Sequence, residues 1–205
     1  MYKRQVITAL RKQSDIPISI DTSKAAVVKA ALDAGVDIVN DISALRFDAD
    51  MLHVVRDSQA PVILMHMQGT PQTMQQSPQY NDVIKEIISF FQVRIRYCVE
   101  NGISPAHIII DPGIGFGKRI EDNLAILAHI SMFTSLNCPV LVGASRKSFI
   151  DAAMETKTNA DTRLGGSIAA AVIAVHNGAS IVRVHDVAET VQALRVLNSV
   201  TEKKA

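Results

Sequence analysis

Six short runs dominated by Val, Ile and Leu, each ending in polar residues and each followed by a segment of helical period, limit what this chain can fold into. The runs are Ile16–Asp21, Val36–Asp41, Pro61–Met67, Ile108–Asp111, Pro139–Gly143 and Ser180–His185. They lack the apolar/polar alternation of a strand with one wet face. Near-continuous aliphatic runs are strands buried on both faces, as in parallel sheets covered by crossover helices. Helical segments are expected over Lys24–Ala34, Asp82–Asn101, Ile120–Ser135, Asp161–Asn177 and Val187–Val200, three of them stopping at a glycine (Gly35, Gly102, Gly178). Asp186 and Glu189 stand at capping-box spacing before the last one. The first fifteen residues read as one more helix. With no linker and no internal boundary, residues 1–205 are expected to form a single domain. Successive βα units imply either a (β/α) barrel or an open doubly wound sheet, and six strands are two short of the eight-stranded barrel.

Composition narrows the function classes. The chain is 48% hydrophobic and 20% charged, with a net charge of +1, which is ordinary for a soluble domain and provides no basic field for nucleic acid or a membrane. The N-terminal "MYKRQVITALRKQSD" is too charged for a secretory signal, and no apolar run reaches membrane-spanning length. Cys98 continues the stripe Val83, Ile87, Phe91 and Ile95, so it reads as a core thiol. Neither Cys98 and Cys138 nor the scattered histidines (53, 66, 107, 129, 176 and 185) show metal-ligand spacing. A reducing, cytoplasmic setting is expected.

The polar strand ends carry the chemistry. Each has a bland reading: Asp21 and Asp186 as helix N-caps, Asn40-Asp41 as a turn, His66 as a core histidine. All six strands end this way, and in parallel α/β folds active sites lie at the C-terminal strand ends. Asp21, Asn40 and Asp111 offer acceptors to a planar ligand rich in N–H groups. Lys147, Arg183 and His185 suit a phosphate or pyrophosphate. Together they describe a flat nitrogen heterocycle with an anionic tail.

The stretch "DPGIGFGK" (111–118) looks like a phosphate loop, but its spacing matches neither G-x-x-x-x-G-K-[ST] nor G-x-G-x-x-G. A turn with Asp111 as its working residue fits better, leaving Lys118 as a surface residue at a helix start. Gly143-Ala144-Ser145 only approaches a nucleophile elbow.

In order along the chain, "SIDTSK" (19–24), "VNDI" (39–42), "LMHMQGTPQTMQ" (64–75), "DPGIGFGK" (111–118), "LVGASRKSFI" (141–150) and "IVRVHDV" (181–187) resemble the dihydropteroate synthases of folate biosynthesis. The resemblance implies a TIM (β/α)8-type barrel, here incomplete, with six parallel strands matching family strands three to eight. It implies condensation of 6-hydroxymethyl-7,8-dihydropterin pyrophosphate with para-aminobenzoate, in a para-aminobenzoate region where sulfonamides compete in the family. It assigns the pterin to Asp21, Asn40, Met65, Asp111, Gly143, Lys147 and Arg183. Pyrophosphate falls to Arg183 and His185, and para-aminobenzoate to Phe116, Ser145 and Lys147. Lys147, Asp21, Arg183 and His185 would carry the catalysis. Mg²⁺ would accompany the pyrophosphate. A homodimer is left open, and no nucleic acid or membrane partner is expected. Pterin-binding methyltransferases look similar, but "SRKS" with "RVHD" favours the synthase.

The sequence departs from the family pattern at its start. The segments reading roughly "G-I-L-N-V-T-P-D-S-F" and "G-G-E-S-T-R-P-G" do not occur, and with them go two strands, the asparagine associated with Mg²⁺ and two closing loops. Strands 16–21 and 180–185 are then expected to be exposed edges, and turnover by this chain to be weak. Truncation, intermolecular completion and a split protein would each account for this, and a non-catalytic pterin-binding fragment is the alternative function.

Overall fold

The computed structural model describes residues 2–154 and 158–203. Internal contacts gather them into two compact units: residues up to His66 with Phe90–Ile110, and Met67–Ser89 with the residues from Asp111 on. The elements, in order, are α1 (Tyr2–Arg11), β1 (Ser19–Asp21), α2 (Ala25–Leu32), β2 (Ile38–Asp41), α3 (Met51–Ser58), β3 (Val62–Met65), α4 (Val83–Glu100), β4 (Ile108–Asp111), α5 (Ile120–Ala128), α6 (Ile130–Thr134), β5 (Leu141–Val142), α7 (Phe149–Ala153), α8 (Leu164–His176), β6 (Ile181–Val182) and α9 (Val187–Glu202).

The first unit is built on a parallel sheet in the order β1-β2-β3-β4. Its register pairs Asp21 with Asn40 and Asp41 with Leu64, which brings the polar ends of adjacent strands side by side. Every residue of β3 and β4 is buried, as the unbroken aliphatic runs predict. β1, at the end of the order, buries only Ile20. Arg11 ties α1 to the turn between α2 and β2: its guanidinium donates to the Gly35 carbonyl (2.6 Å) and the Ile16 carbonyl (2.6 Å), and pairs with Asp37. Cys98 is fully buried on α4 with Ile87 and Phe91, as its stripe predicts.

The second unit holds a short parallel pair, β5 and β6, with Leu141 opposite Ile181 and Val142 opposite Val182. The small residues of α8 allow close packing: Ser167, Ala170, Ala171 and Ala174 are buried, and a Cβ on Gly166 would fall 2.3 Å from the Ile150 Cγ2. Ile181 of β6 is exposed, in keeping with an edge.

Four expectations change. α3 and α7 are helices that the sequence pattern did not disclose; each is too short for a clear period, yet they bury Met51, Leu52 and Val55, and Phe149 and Ile150. The helix expected over Ile120–Ser135 breaks at His129 (φ −119°, ψ 27°), whose ring nitrogen bonds the Ala125 carbonyl. α8 starts at Leu164 rather than Asp161, after a 3₁₀ turn at Ala160–Thr162. Asp186 makes no side-chain cap for α9, because its carboxylate is held by Arg146.

Candidate active site

The site is best seen in the second unit. Asp111 ends β4 and is 1% exposed. One of its oxygens accepts the Gly113 backbone N–H (2.8 Å) and the other accepts Nη2 of Arg183 (2.9 Å). Burial pushes the carboxyl up, while Arg183, the Gly113 amide and Lys118 favour the charged form. Arg183 is 43% exposed, so the pair is sealed on one side and open on the other. Gly143 makes room for it: a Cβ there would lie 2.9 Å from Arg183 Nη2.

The glycine run now has a physical reason. Gly113, Gly115 and Gly117 all have positive φ (72°, 78° and 62°), a region costly for other residues, while the intervening Ile114 packs into the core. At Gly117 there is also no space, since a Cβ would lie 2.5 Å from the Gln68 carbonyl oxygen. The segment after β3 clasps this loop. Gln75 donates to the Gly115 carbonyl (2.6 Å), the Tyr80 hydroxyl to the Gly117 carbonyl (2.7 Å), and Gln68 and Gln79 exchange hydrogen bonds of 2.8 and 3.0 Å.

The loop presents Phe116 to Lys147, whose Nζ lies 4.3 Å from the ring centroid. Burial pushes the Lys147 amine down, opposed by Asp111 and reinforced by Arg183. A cavity of about 380 Å³ opens beside these groups, lined by Gly115, Lys118, Asn123, Lys147 and Phe149 among others. A larger cavity of about 560 Å³ lies between α2 and α3 and is lined by none of the expected site residues, so size alone does not mark the site.

Lys118 is not the surface residue expected. It is 4% exposed and donates to the Phe116 carbonyl (3.1 Å). Burial pushes its amine down to about 7, against the pull of Asp111 and Asp122. The helix start belongs instead to Arg119, whose backbone N–H (2.8 Å) and guanidinium (2.8 Å) both donate to the Asp122 carboxylate in the first turn of α5. Spacing could not reveal this, because a lysine beside a helix start is normally solvated.

Ser145 is buried and bonded to His185: its Oγ is 2.9 Å from Nδ1 and accepts the His185 backbone N–H at 3.3 Å. The structure thus groups Asp111, Gly143 and Arg183, then Phe116 with Lys147, then Ser145 with His185.

In the first unit, Asp21 is exposed at the end of β1, and Asn40 is 3% exposed opposite it. Asn40 Oδ1 is buried with no hydrogen-bond partner among the described residues. A buried acceptor left open is costly, and an N–H-bearing ligand would relieve it. The neighbouring Asp41 is its opposite, since its carboxylate accepts Ser43 N–H (2.9 Å), Ser43 Oγ–H (2.8 Å) and Leu45 N–H (2.9 Å). Those bonds hold Ala44 and Leu45 at positive φ. Met65 is fully buried, and His66 packs edge-on against Phe90 (4.9 Å between ring centroids), the core histidine of the bland reading.

Among the described residues, no group of three or more His, Cys, Asp or Glu could hold a metal ion, and no helix is long and apolar enough to cross a membrane.

The chain is similar to known proteins. The family model described as pterin binding enzyme matches residues 4–185. The Escherichia coli (strain K12) dihydropteroate synthase is 42% identical over 199 residues, spanning 97% of this chain and 70% of that protein. The Synechocystis synthase is 44% identical over 194 residues, spanning 95% of this chain and 67% of that protein. A crystal structure of the Yersinia pestis synthase with a sulfonamide drug superposes with a TM-score of 0.94 at 42% identity, over 98% of this chain and 72% of that one. The Xanthomonas albilineans synthase in complex with 7,8-dihydropteroate gives 0.90 at 40% identity, over 97% of this chain and 72% of that one. These likenesses carry the TIM-barrel-type α/β fold as well as the motifs. The chain belongs to the pterin-binding enzymes, among the dihydropteroate synthases.

Proposed function

We propose that this chain condenses 6-hydroxymethyl-7,8-dihydropterin pyrophosphate with para-aminobenzoate, giving 7,8-dihydropteroate and pyrophosphate. The observation that carries the reading is the Asp111–Arg183 pair. A buried carboxylate there already accepts an N–H of a planar guanidinium, through Nη2. The aminopyrimidine edge of a pterin also offers planar N–H donors, so the heterocycle replaces the guanidinium at Asp111. Arg183, freed, joins His185 on the pyrophosphate. Asp21 and Asn40 are further acceptors suited to such N–H groups, Asn40 Oδ1 being the one that lacks a partner. Phe116 and Lys147 border the aromatic amine.

The chemistry follows from where charge develops. The bond between the exocyclic methylene carbon and the pyrophosphate oxygen breaks, and its electron pair leaves with the pyrophosphate. Arg183, His185 and Lys147 stabilise that growing negative charge. The conjugated ring spreads the positive charge left on carbon, and the Asp111 carboxylate balances it. The neutral amine, held in place mainly by positioning, forms the new C–N bond and then gives its proton to the departing pyrophosphate. No covalent enzyme intermediate is needed. Mg²⁺ is proposed to travel with the pyrophosphate. No cluster of three or more His, Cys, Asp or Glu among the described residues fits a protein-held ion. A cytoplasmic setting completes the proposal, with no nucleic acid or membrane partner.

The test is para-aminobenzoate-dependent pyrophosphate release by the 205-residue chain, with pterin pyrophosphate binding followed by calorimetry. Release that needs both substrates and is lost in Asp111→Asn is expected. Preferential binding of methyltetrahydrofolate, with no release, would replace the synthase reading with a methyltransferase-type one.

A further inference from the structure

The β5–β6 ladder does not end where its backbone pairing ends. Leu141 opposes Ile181 and Val142 opposes Val182, a constant offset of forty residues. The offset continues through the two loops beyond the strands. Gly143 lies under Arg183, Ser145 Oγ meets the Nδ1 of His185, and the Arg146 guanidinium grips both carboxylate oxygens of Asp186 (2.6 and 3.2 Å). The parallel strands hand over to a ladder of side chains, and the Arg146–Asp186 pair is its last rung.

Arg146 is pinned more thoroughly than a simple surface ion pair requires. Its φ is +60°, in the left-handed region that a non-glycine residue enters only when its surroundings compel it. Its N–H donates to Ser167 Oγ (2.9 Å), its carbonyl accepts Arg163 Nη1 (2.8 Å), and its remaining guanidinium nitrogen reaches Asp161 (2.8 Å). The reversal at this residue gives its two neighbours different tasks: Ser145 turns to His185, and Lys147 turns to the Phe116 ring.

The geometry points to Arg146 and Asp186 as positioning residues that lock the two loops in register, so that Ser145 fixes His185 with its proton on Nε2, aimed as a donor at an anion. Ser145 Oγ already accepts the His185 backbone N–H, and its own hydroxyl proton is free to go to Nδ1. Nδ1 is then the acceptor, and Nε2–H is the donor left for the ligand. Neither Arg146 nor Asp186 needs to touch the substrate. This inference rests on the reading of His185 as a pyrophosphate contact, and one arm of its test does not depend on that reading.

That arm is the imidazole ¹⁵N spectrum of the labelled chain in alkaline buffer, where histidines are neutral, with His185 assigned by subtraction in His185→Gln. The wild-type chain is expected to show a single Nε2–H tautomer at His185. In Arg146→Ala and in Asp186→Asn the two nitrogens should move toward averaged shifts. The second arm is titration with inorganic pyrophosphate. Each variant should bind at least about ten-fold more weakly, and the double variant no more weakly than the worse single. If Arg146→Ala does not fold, Arg146→Lys serves in both arms. A lysine keeps the charge but loses the two-oxygen grip, so an intermediate shift pattern and affinity are expected. An unchanged tautomer in the variants overturns the lock, as do losses that simply multiply. If wild type fails to bind pyrophosphate while the tautomer still responds, the lock stands and the anion reading of His185 falls.

Discussion

The polar strand ends of the first unit and those of the second use similar residues in opposite ways. In the first, Asp21 is exposed and Asn40 keeps a buried acceptor open, while Asp41 is fully used in holding its own turn. In the second, the site groups occupy one another: Asp111 with Arg183, Ser145 with His185, Lys147 against Phe116. A ligand fills a vacancy in the first case and must displace a protein group in the second. The second unit therefore has charge to lose when a partner is removed, whereas the first has little.

The largest effect should come from Lys118. Its amine is pushed down to about 7, so between about pH 7 and 10 the unfolded chain binds more protons than the folded one, and stability rises with pH across that window. The gain is on the order of 3 kcal/mol. Lys118→Met should flatten this slope in urea unfolding measured at several pH values. Above pH 10 the half-buried Tyr80 phenol, held up by desolvation, acts with the opposite sign, so the window closes there. An identical slope in the variant would show that the lysine reaches solvent.

Next is Arg183→Ala, which strands a buried carboxylate. Removing one partner of a fully buried pair costs more, but Arg183 is partly exposed and two lysines remain near Asp111, so about 2 kcal/mol is expected. Asp21→Ala, in the first unit, should cost almost nothing in the same unfolding experiment. Equal costs would erase the contrast between the units.

Ser43→Ala removes one of three donors to the buried Asp41 and should cost about 1 kcal/mol, without altering ligand affinity. The smallest stability effect belongs to Asn40→Ala, where the lost acceptor had no partner. Thermal midpoints should barely move, while calorimetry shows weaker pterin binding by about ten-fold. A large stability loss would mean that Asn40 supports the fold rather than the ligand.

Much of the fold was legible because burial on both faces leaves unbroken Val/Ile/Leu runs, and all six expected strands occur. The motif order carried the family, and the unusual glycine spacing reflects a loop in which Gly113, Gly115 and Gly117 all take positive φ. Short helices such as α3 and α7 escaped because a turn or two of helix shows no period. Asp186 escaped for a different reason. An aspartate before a helix looks like a cap, and only a partner forty residues earlier in the chain redirects it to Arg146.

The sequence by itself determined which residues stand at the strand ends, because strand length and hydrophobic continuity are local properties. It could not decide what those residues touch. Whether Lys118 is solvated or sealed, whether Arg183 is free or held by Asp111, and whether Arg146 can adopt a left-handed backbone depend on groups distant along the chain. Desolvation and ion pairing are properties of three-dimensional surroundings, and only the tertiary structure supplies those.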